Sequence, residues 1–246
     1  IIGSTLCQRK IRKGAIMRKT LAITILLLFV IFVSSAHATP DSYTFQPPTG
    51  DNYFSQYYPT YNYGADLSVK VMSYTGGQNE HAIMKFDLSS QIPAGATINS
   101  ATLSLYYWQY AGSNPSGRTY WVYRVTQTDW VEGTGTGEGP QTGSSCWTYR
   151  QYNTLTWSTA GGTYTTTNGS STTVPSSYGW MSWNVKDQVQ YAVSYVNRVA
   201  HFLIKDGTED SATAYEAYFY SKENANANKP KLYVEWTSNT APTNDQ

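Results

Sequence analysis

Flat aromatic rings set among amides and hydroxyls are the chemistry this sequence offers most freely. Tyr53, Tyr57, Tyr58 and Tyr61 crowd into one short stretch with Asn52, Gln56 and Asn62. A pyranose ring has apolar C–H faces that stack on aromatic rings and hydroxyls that need polar partners. This stretch supplies both; equally, its tyrosines would serve to staple a loop to the body of the fold. A second row is Tyr106, Trp108 and Tyr110, alternating with Leu103, Leu105 and Tyr107. If the alternate set is core, the row faces outward, and exposed aromatics in a row mark a binding surface unless a loop covers them. The long stretch 130–178 is the loop that would do so. Arg118, Arg124 and Arg150 add donors for hydroxyls or carboxylates.

Two acidic groups compete for a metal: Asp129, Glu132 and Glu138 in a Gly-rich loop, and Asp206, Glu209 and Asp210 in a turn. Oxygen-rich loops suit calcium, although neither group has EF-hand spacing and solvated turn acids look the same. No motif requires a cofactor; structural calcium is the candidate ion. Glycoside hydrolysis needs two facing carboxylates, and the sequence pairs no two of its 16. A lyase needs a positioned base and a charge neutraliser; His81 or His201 with a tyrosine could supply the base, but His81 falls on an outward strand position. Cys146 has no nearby histidine and reads as a packing residue. The residues favour binding over catalysis.

The elements that must position these groups are strands. Ala82, Met84, Phe86 and Leu88 alternate along one segment, and Ala101, Leu103, Leu105 and Tyr107 along the next. Period two with one apolar face predicts half-buried strands. The Pro93-Ala94-Gly95 break between them continues neither. A strand pair with one greasy face needs a second layer, so a β-sandwich is expected. Further strands are predicted at Asp41–Phe45, at 67–71 with Leu67, Val69 and Val71 inward, and at 118–125 with Trp121, Tyr123 and Val125 inward. Strands are also expected at 180–185, 200–205, 214–220 and 231–236. Val185, Val189, Ala192, Val193 and Val196 recur at helical spacing, predicting one short helix at the end of the sandwich. The stretch 130–178 reads as irregular, pinned by Trp147, Tyr149, Leu155 and Trp157, and either functional or hiding short strands.

Residues 17–38 read as a signal peptide. A basic start at Met17-Arg18-Lys19 precedes an apolar run from Leu21 to Val33 and an Ala-x-Ala ending at Ala38. The run is shorter than the roughly 20 residues that cross a bilayer. Secretion is therefore expected, with no membrane insertion after cleavage. Residues 1–16 read as an upstream extension, 39–237 as one domain, and 238–246 as a linker to a further domain of the same polypeptide. The leader and the extension before it, residues 1–38, hold six of the 17 basic residues and no acid, leaving 11 basic against 16 acidic residues and a net charge of −5. That balance argues against nucleic acid, whose partners carry a basic stripe. Only Cys146 lies outside residues 1–38, so no internal disulfide forms and the core alone must hold the fold.

An ordered set of motifs spans the domain. Asn62-Tyr63-Gly64 is followed by Lys85-Phe86-Asp87-Leu88-Ser89, Pro93 to Ile98 and Ala101 to Leu105. Tyr123-Arg124-Val125-Thr126, Trp130-Val131-Glu132-Gly133-Thr134 and Trp157 to Gly162 come next. Phe219-Tyr220-Ser221-Lys222-Glu223 and Lys229 to Val234 close the set. Together they resemble the DNRLRE-domain family of secreted surface proteins and disaggregatase-related proteins. That family's ending usually has arginine where this chain has Lys222, Lys229 and Lys231. The resemblance implies an all-β, jelly-roll-like antiparallel β-sandwich with one short helix. It also implies a polysaccharide-binding module, one branch of the family recognising acidic polysaccharide such as alginate. A polysaccharide-degrading enzyme of disaggregatase type, or a ligand-free spacer or adhesin domain, are the alternatives.

Overall fold

Alternating side chains shape almost every element. The structure, a computed structural model, describes residues 41–239; the expected leader and nearly all of the expected linker lie outside the described residues. In chain order the elements are β1 (Asp41–Phe45), β2 (Gly50–Ser55), β3 (Ser68–Ser73), β4 (Glu80–Asp87), β5 (Thr97–Gly112) and β6 (Thr119–Val125). They continue with β7 (Tyr149–Gln151), β8 (Leu155–Thr156), β9 (Tyr164–Thr173), β10 (Gly179–Asn184), α1 (Lys186–Val193), β11 (Val199–Asp206), β12 (Tyr215–Tyr220) and β13 (Lys231–Thr237). Eleven strands join in one antiparallel sheet of order β1-β13-β5-β12-β3-β4-β11-β6-β9, with β10 added to β5 and β2 to β4. The sixteen-residue β5 carries β13 along its first half and β12 along its second. The sheet curls back over its own concave side, giving the expected jelly-roll-like sandwich with one helix.

One apolar cluster fills the concavity. It contains Ala82, Met84, Phe86 and Leu88 from the first predicted face and Ala101, Leu103, Leu105 and Tyr107 from the second, joined by Val71, Phe219, Leu232 and Val234. Each large side chain buried there contributes about 1.5–3 kcal/mol, so the fold needs no cross-link. Cys146 is a buried free thiol.

A second, smaller cluster lies on the other side of β2, β4 and β11. Phe54, Ile83 and Leu203 point outward from the sheet and are roofed by Trp130, Trp147 and Trp157 from the long connection after β6. The connection is pinned by tryptophans as its sequence suggests, and it hides strands: β7 and β8 pair with each other, and the Thr-rich β9 pairs with β6.

Four local expectations change. Leu67 is 57 % exposed, because β3 begins one residue later; what holds Leu67 is its carbonyl, which accepts from Ser221 N and Asn224 Nδ2. Trp121 and Tyr123 face outward, and the core residues of β6 are Tyr120 and Val122. Counting apolar area favoured the wrong side, since the outward rings form a ladder of their own, Trp121 on Tyr123 at 5.7 Å and Tyr123 on Tyr164 at 4.8 Å. Val125 is buried, but in the roofed cluster. The helix stops at Val193, where Ser194 N and Tyr195 N turn back to the carbonyls of Tyr191 and Ala192, leaving Val196 92 % exposed.

Candidate functional site

On the open convex face of β10, β5, β12 and β3, strand alternation turns one aromatic residue after another outward. Trp180 of β10 stands directly opposite Tyr106 of β5 and meets it edge to face at 5.4 Å. Tyr106 stacks on Tyr220 of β12 at 5.7 Å, and Tyr220 lies parallel to Trp108 at 5.3 Å and 2°. Trp108 then meets Tyr218 at 6.2 Å. The strip crosses four neighbouring strands, roughly 14 Å at about 4.8 Å per strand. A lysine closes each end: Lys231 Nζ lies 4.0 Å over the Trp180 ring, and Lys70 Nζ 4.8 Å over that of Tyr218. Lys70 also pairs with Glu216 at 3.6 Å. Burial, then the charge of Glu216, pushes the neighbouring Glu80 carboxyl up to about 8. Trp180 is 37 % exposed, and Tyr106, Trp108, Tyr218 and Tyr220 are half-buried. Such a surface offers ring faces for C–H stacking and two ammonium groups for oxygen ligands.

Tyr106 and Trp108 are thus together on the outer face, but Tyr110 is not with them. The pairing of β12 with β5 shifts register between Tyr218 and Phe219, setting Tyr110 opposite the core residue Ala217. A bulge moves every later side chain to the other face. Tyr110 sits instead beside Tyr178 at 6.3 Å. Among the other predicted tyrosines, Tyr53 is buried on β2 and stacked on Tyr63 at 4.2 Å. Tyr57 and Tyr58 are exposed, and Tyr58 stacks on Tyr61 at 4.9 Å, so these three form a small separate patch. The amides expected to serve that patch are engaged inside: Asn62 Nδ2 donates to Glu132 O at 2.6 Å and to Ser145 O at 2.9 Å. Asn52 Nδ2 donates to Ser145 O at 3.1 Å. Arg118 is held by Asp206 at 2.5 Å and Thr208 O at 2.6 Å, and Arg150 by Asp129 at 2.8 Å and Thr156 O at 2.6 Å.

Of the predicted metal ligands, Asp129 and Asp206 pair with those arginines. Glu209 contacts His81 Nε2 at 2.6 Å and pairs with Lys205, and Asp210 accepts from Asn79 Nδ2 at 2.8 Å. Burial alone would raise the Glu209 carboxyl; the hydrogen bonds and charges of His81 and Lys205 outweigh it and hold Glu209 at about 2. Glu138 is exposed. Neither acidic group converges as a set of three.

A model of the family described as carbohydrate-binding module family 96 matches residues 42–146 and 141–236. The chain belongs to carbohydrate-binding module family 96. No curated protein matches it. Its function is accordingly the non-catalytic binding of carbohydrate, and the matched span runs from β1 to β13.

The structure also places several residues of the ordered motif set. In this family 96 module, Asp51, Glu132 and Glu223 bring carboxylate oxygens within 4.8 Å of one another, the one group of three acids to converge in this way among the described residues. They come from β2, the roof and the turn after β12, too far apart in sequence to be read as a set. Burial first, then the charge of Glu223, pushes Asp51 well above the carboxylate range. Lys222 Nζ supplies the positive charge among them, pairing with Glu132 at 3.2 Å and with Glu223. Asp51 Oδ2 accepts from Lys222 N at 2.8 Å, and Glu132 Oε1 from Asp51 N at 2.6 Å. Gly64 belongs to the same lock, since a Cβ there would meet Glu132 O at 2.3 Å. The motif residues Asn62, Gly64, Glu132, Lys222 and Glu223 therefore tie the roof to the sheet.

Proposed function

We propose that the aromatic strip on β10, β5, β12 and β3 is the platform on which this module holds an extended polysaccharide chain. The observation that carries this reading is the run Trp180–Tyr106–Tyr220–Trp108–Tyr218 with a lysine at either end. Rings that pack on each other at fixed angles lose little freedom when a sugar lies across them, which keeps the entropic cost of binding low. The leader-like residues 17–38 and the DNRLRE resemblance support a secreted or cell-surface protein in which the module accompanies further domains.

Affinity electrophoresis through gels loaded with neutral and acidic polysaccharides tests the platform. At least one glycan should retard the chain, and Trp180→Ala and Tyr220→Ala should relieve the retardation while leaving the unfolding midpoint nearly unchanged. Retardation indifferent to both substitutions would move the site elsewhere. New reducing ends on prolonged incubation would favour the enzyme alternative.

A further inference from the structure

Where β6 leaves β11, a cleft opens under α1. Pairing of the two strands begins only at Phe202 and Arg124, so the chain beyond Val125 and the start of β11 diverge. The gap is a cavity of about 290 Å³ lined by Arg124, Thr126, Thr128, Tyr195, Asn197 and His201 among others. Small-ligand pockets start at roughly 300 Å³, so this one has room for a single sugar ring, not for a chain.

Its one full charge is the Arg124 guanidinium, set among hydroxyls and an amide that can both donate and accept. Arg124 shares its strand parity with the core residues Tyr120 and Val122, so it points inward, an unusual direction for a guanidinium. Its one close partner among the described residues is the Tyr191 ring, 3.6 Å from Cζ; it makes no ion pair or hydrogen bond there. Tyr191 is in turn fixed to Tyr195 by a 2.6 Å hydroxyl contact. His201 Nδ1 accepts from the indole Nε1 of Trp130 at 3.0 Å, and an indole can only donate. Burial, then the charge of Lys85, lowers His201 to about 4. The neutral ring therefore carries its proton on Nε2. Among the described residues no carboxylate lines this cavity; Asp187 lies in the neighbouring recess that shares Arg124. On the far side of Arg124, the buried Gln188 donates to Val122 O and Asn168 O while its Oε1 has no partner. It borders a second recess that also includes Arg124 and Tyr191.

We propose that this cleft is a second carbohydrate site, separate from the strip, that holds one pyranose residue by an anionic substituent, a carboxylate or a sulfate ester. Arg124, pre-oriented by Tyr191, takes the anion in a two-pronged contact; the His201 Nε2–H donates to a ring oxygen or hydroxyl, and Tyr195 offers a stacking face. The site goes beyond the strip, resting only on the carbohydrate binding of the family.

The test titrates the full chain with D-glucuronate, glucose 6-sulfate and glucose, following the Arg Nε–Hε and His ring resonances by NMR. Saturable shifts of Arg124 and His201 with either anion, and affinity for glucose at least about tenfold weaker, support the site. Which of the two anions binds more tightly identifies the substituent. Arg124→Gln should lose that preference, and the half-exposed Tyr195→Ala should weaken the anion without unfolding the chain. Trp180→Ala should leave the cleft untouched while releasing polysaccharide, so the two sites stand or fall separately. Equal response to glucose, no response to any of the three, an unchanged titration in Arg124→Gln, or loss of the cleft signal in Trp180→Ala would each overturn it.

Discussion

Among the outward-facing patches of large rings on this sheet, two differ sharply in what lies over them. Over β2, β4 and β11 the roof brings down Trp130, Trp147 and Trp157 onto Phe54, Ile83 and Leu203. There the indole groups are satisfied from within: Trp130 Nε1 donates to His201, and Trp157 Nε1 to Cys146 O at 2.9 Å. Over β10, β5 and β12 Trp180 is exposed and Tyr106, Tyr220 and Trp108 are half-buried; they lean on each other and on lysines, and the buried Trp108 Nε1 has no partner among the described residues. The same residue types stabilise in one place and, on the proposed reading, recognise carbohydrate in the other. Whether a connection crosses the face decides which.

The comparison breaks most visibly at the roof. Trp130→Ala removes a side chain 1 % exposed and should cost about 3–5 kcal/mol, as for buried aromatic truncations. Urea unfolding measures this, and a loss below about 1 kcal/mol would mean the roof does not belong to the folded core.

The roof should also feel pH, through His201. Its folded value of about 4 lies below the unfolded 6.5, so the unfolded chain binds more protons between the two. Stability from this group is complete above pH 6.5 and declines as pH falls through that window, by about 3 kcal/mol in all. Unfolding midpoints at pH 7, 5.5 and 4 should show the decline, and His201→Asn should flatten it; equal slopes in both proteins would contradict the buried neutral ring. Glu209 acts lower, its contribution fading as pH drops from 4.5 toward 2.

The open strip should respond in the opposite sense. Trp180→Ala should change stability by less than about 1 kcal/mol, yet weaken polysaccharide binding by at least about fivefold, as an aromatic contact residue does. Calorimetry on a retarding glycan separates the two quantities. Smallest of all, Tyr57→Ser, in the exposed patch with Tyr58 and Tyr61, should shift stability by no more than about 0.5 kcal/mol and leave the strip's affinity as it is. A large loss of affinity there would make that patch the platform instead.

Much of the fold was legible because strands announce themselves locally. The alternation of Ala82 to Leu88 and of Ala101 to Tyr107 named one side of the core residue by residue, and the helix under which Arg124 lies was visible in the spacing from Val185 to Val193. Of the strip, Tyr106 and Trp108 were legible for the same reason. Trp180, Tyr218 and Tyr220 were not, since they reach β5 only through pairings with segments more than 70 residues away. The register shift that turns Tyr110 away left no mark in the sequence, because a bulge depends on both strands at once.

Sequence by itself decided that this chain is a layered β structure, closed by apolar alternation without disulfides and supplied with far more rings than its core needs. Only the tertiary structure decided which of those rings meet solvent, and that Glu132 and Glu223 share the Lys222 ammonium while Asp51 accepts from its backbone N–H. Alternation is a property of neighbours along the chain, written wherever a strand runs. A roof, a cleft and a shared charge are made by segments that meet only after the sheet has curled, and their meeting is set by long-range pairing that no local pattern encodes.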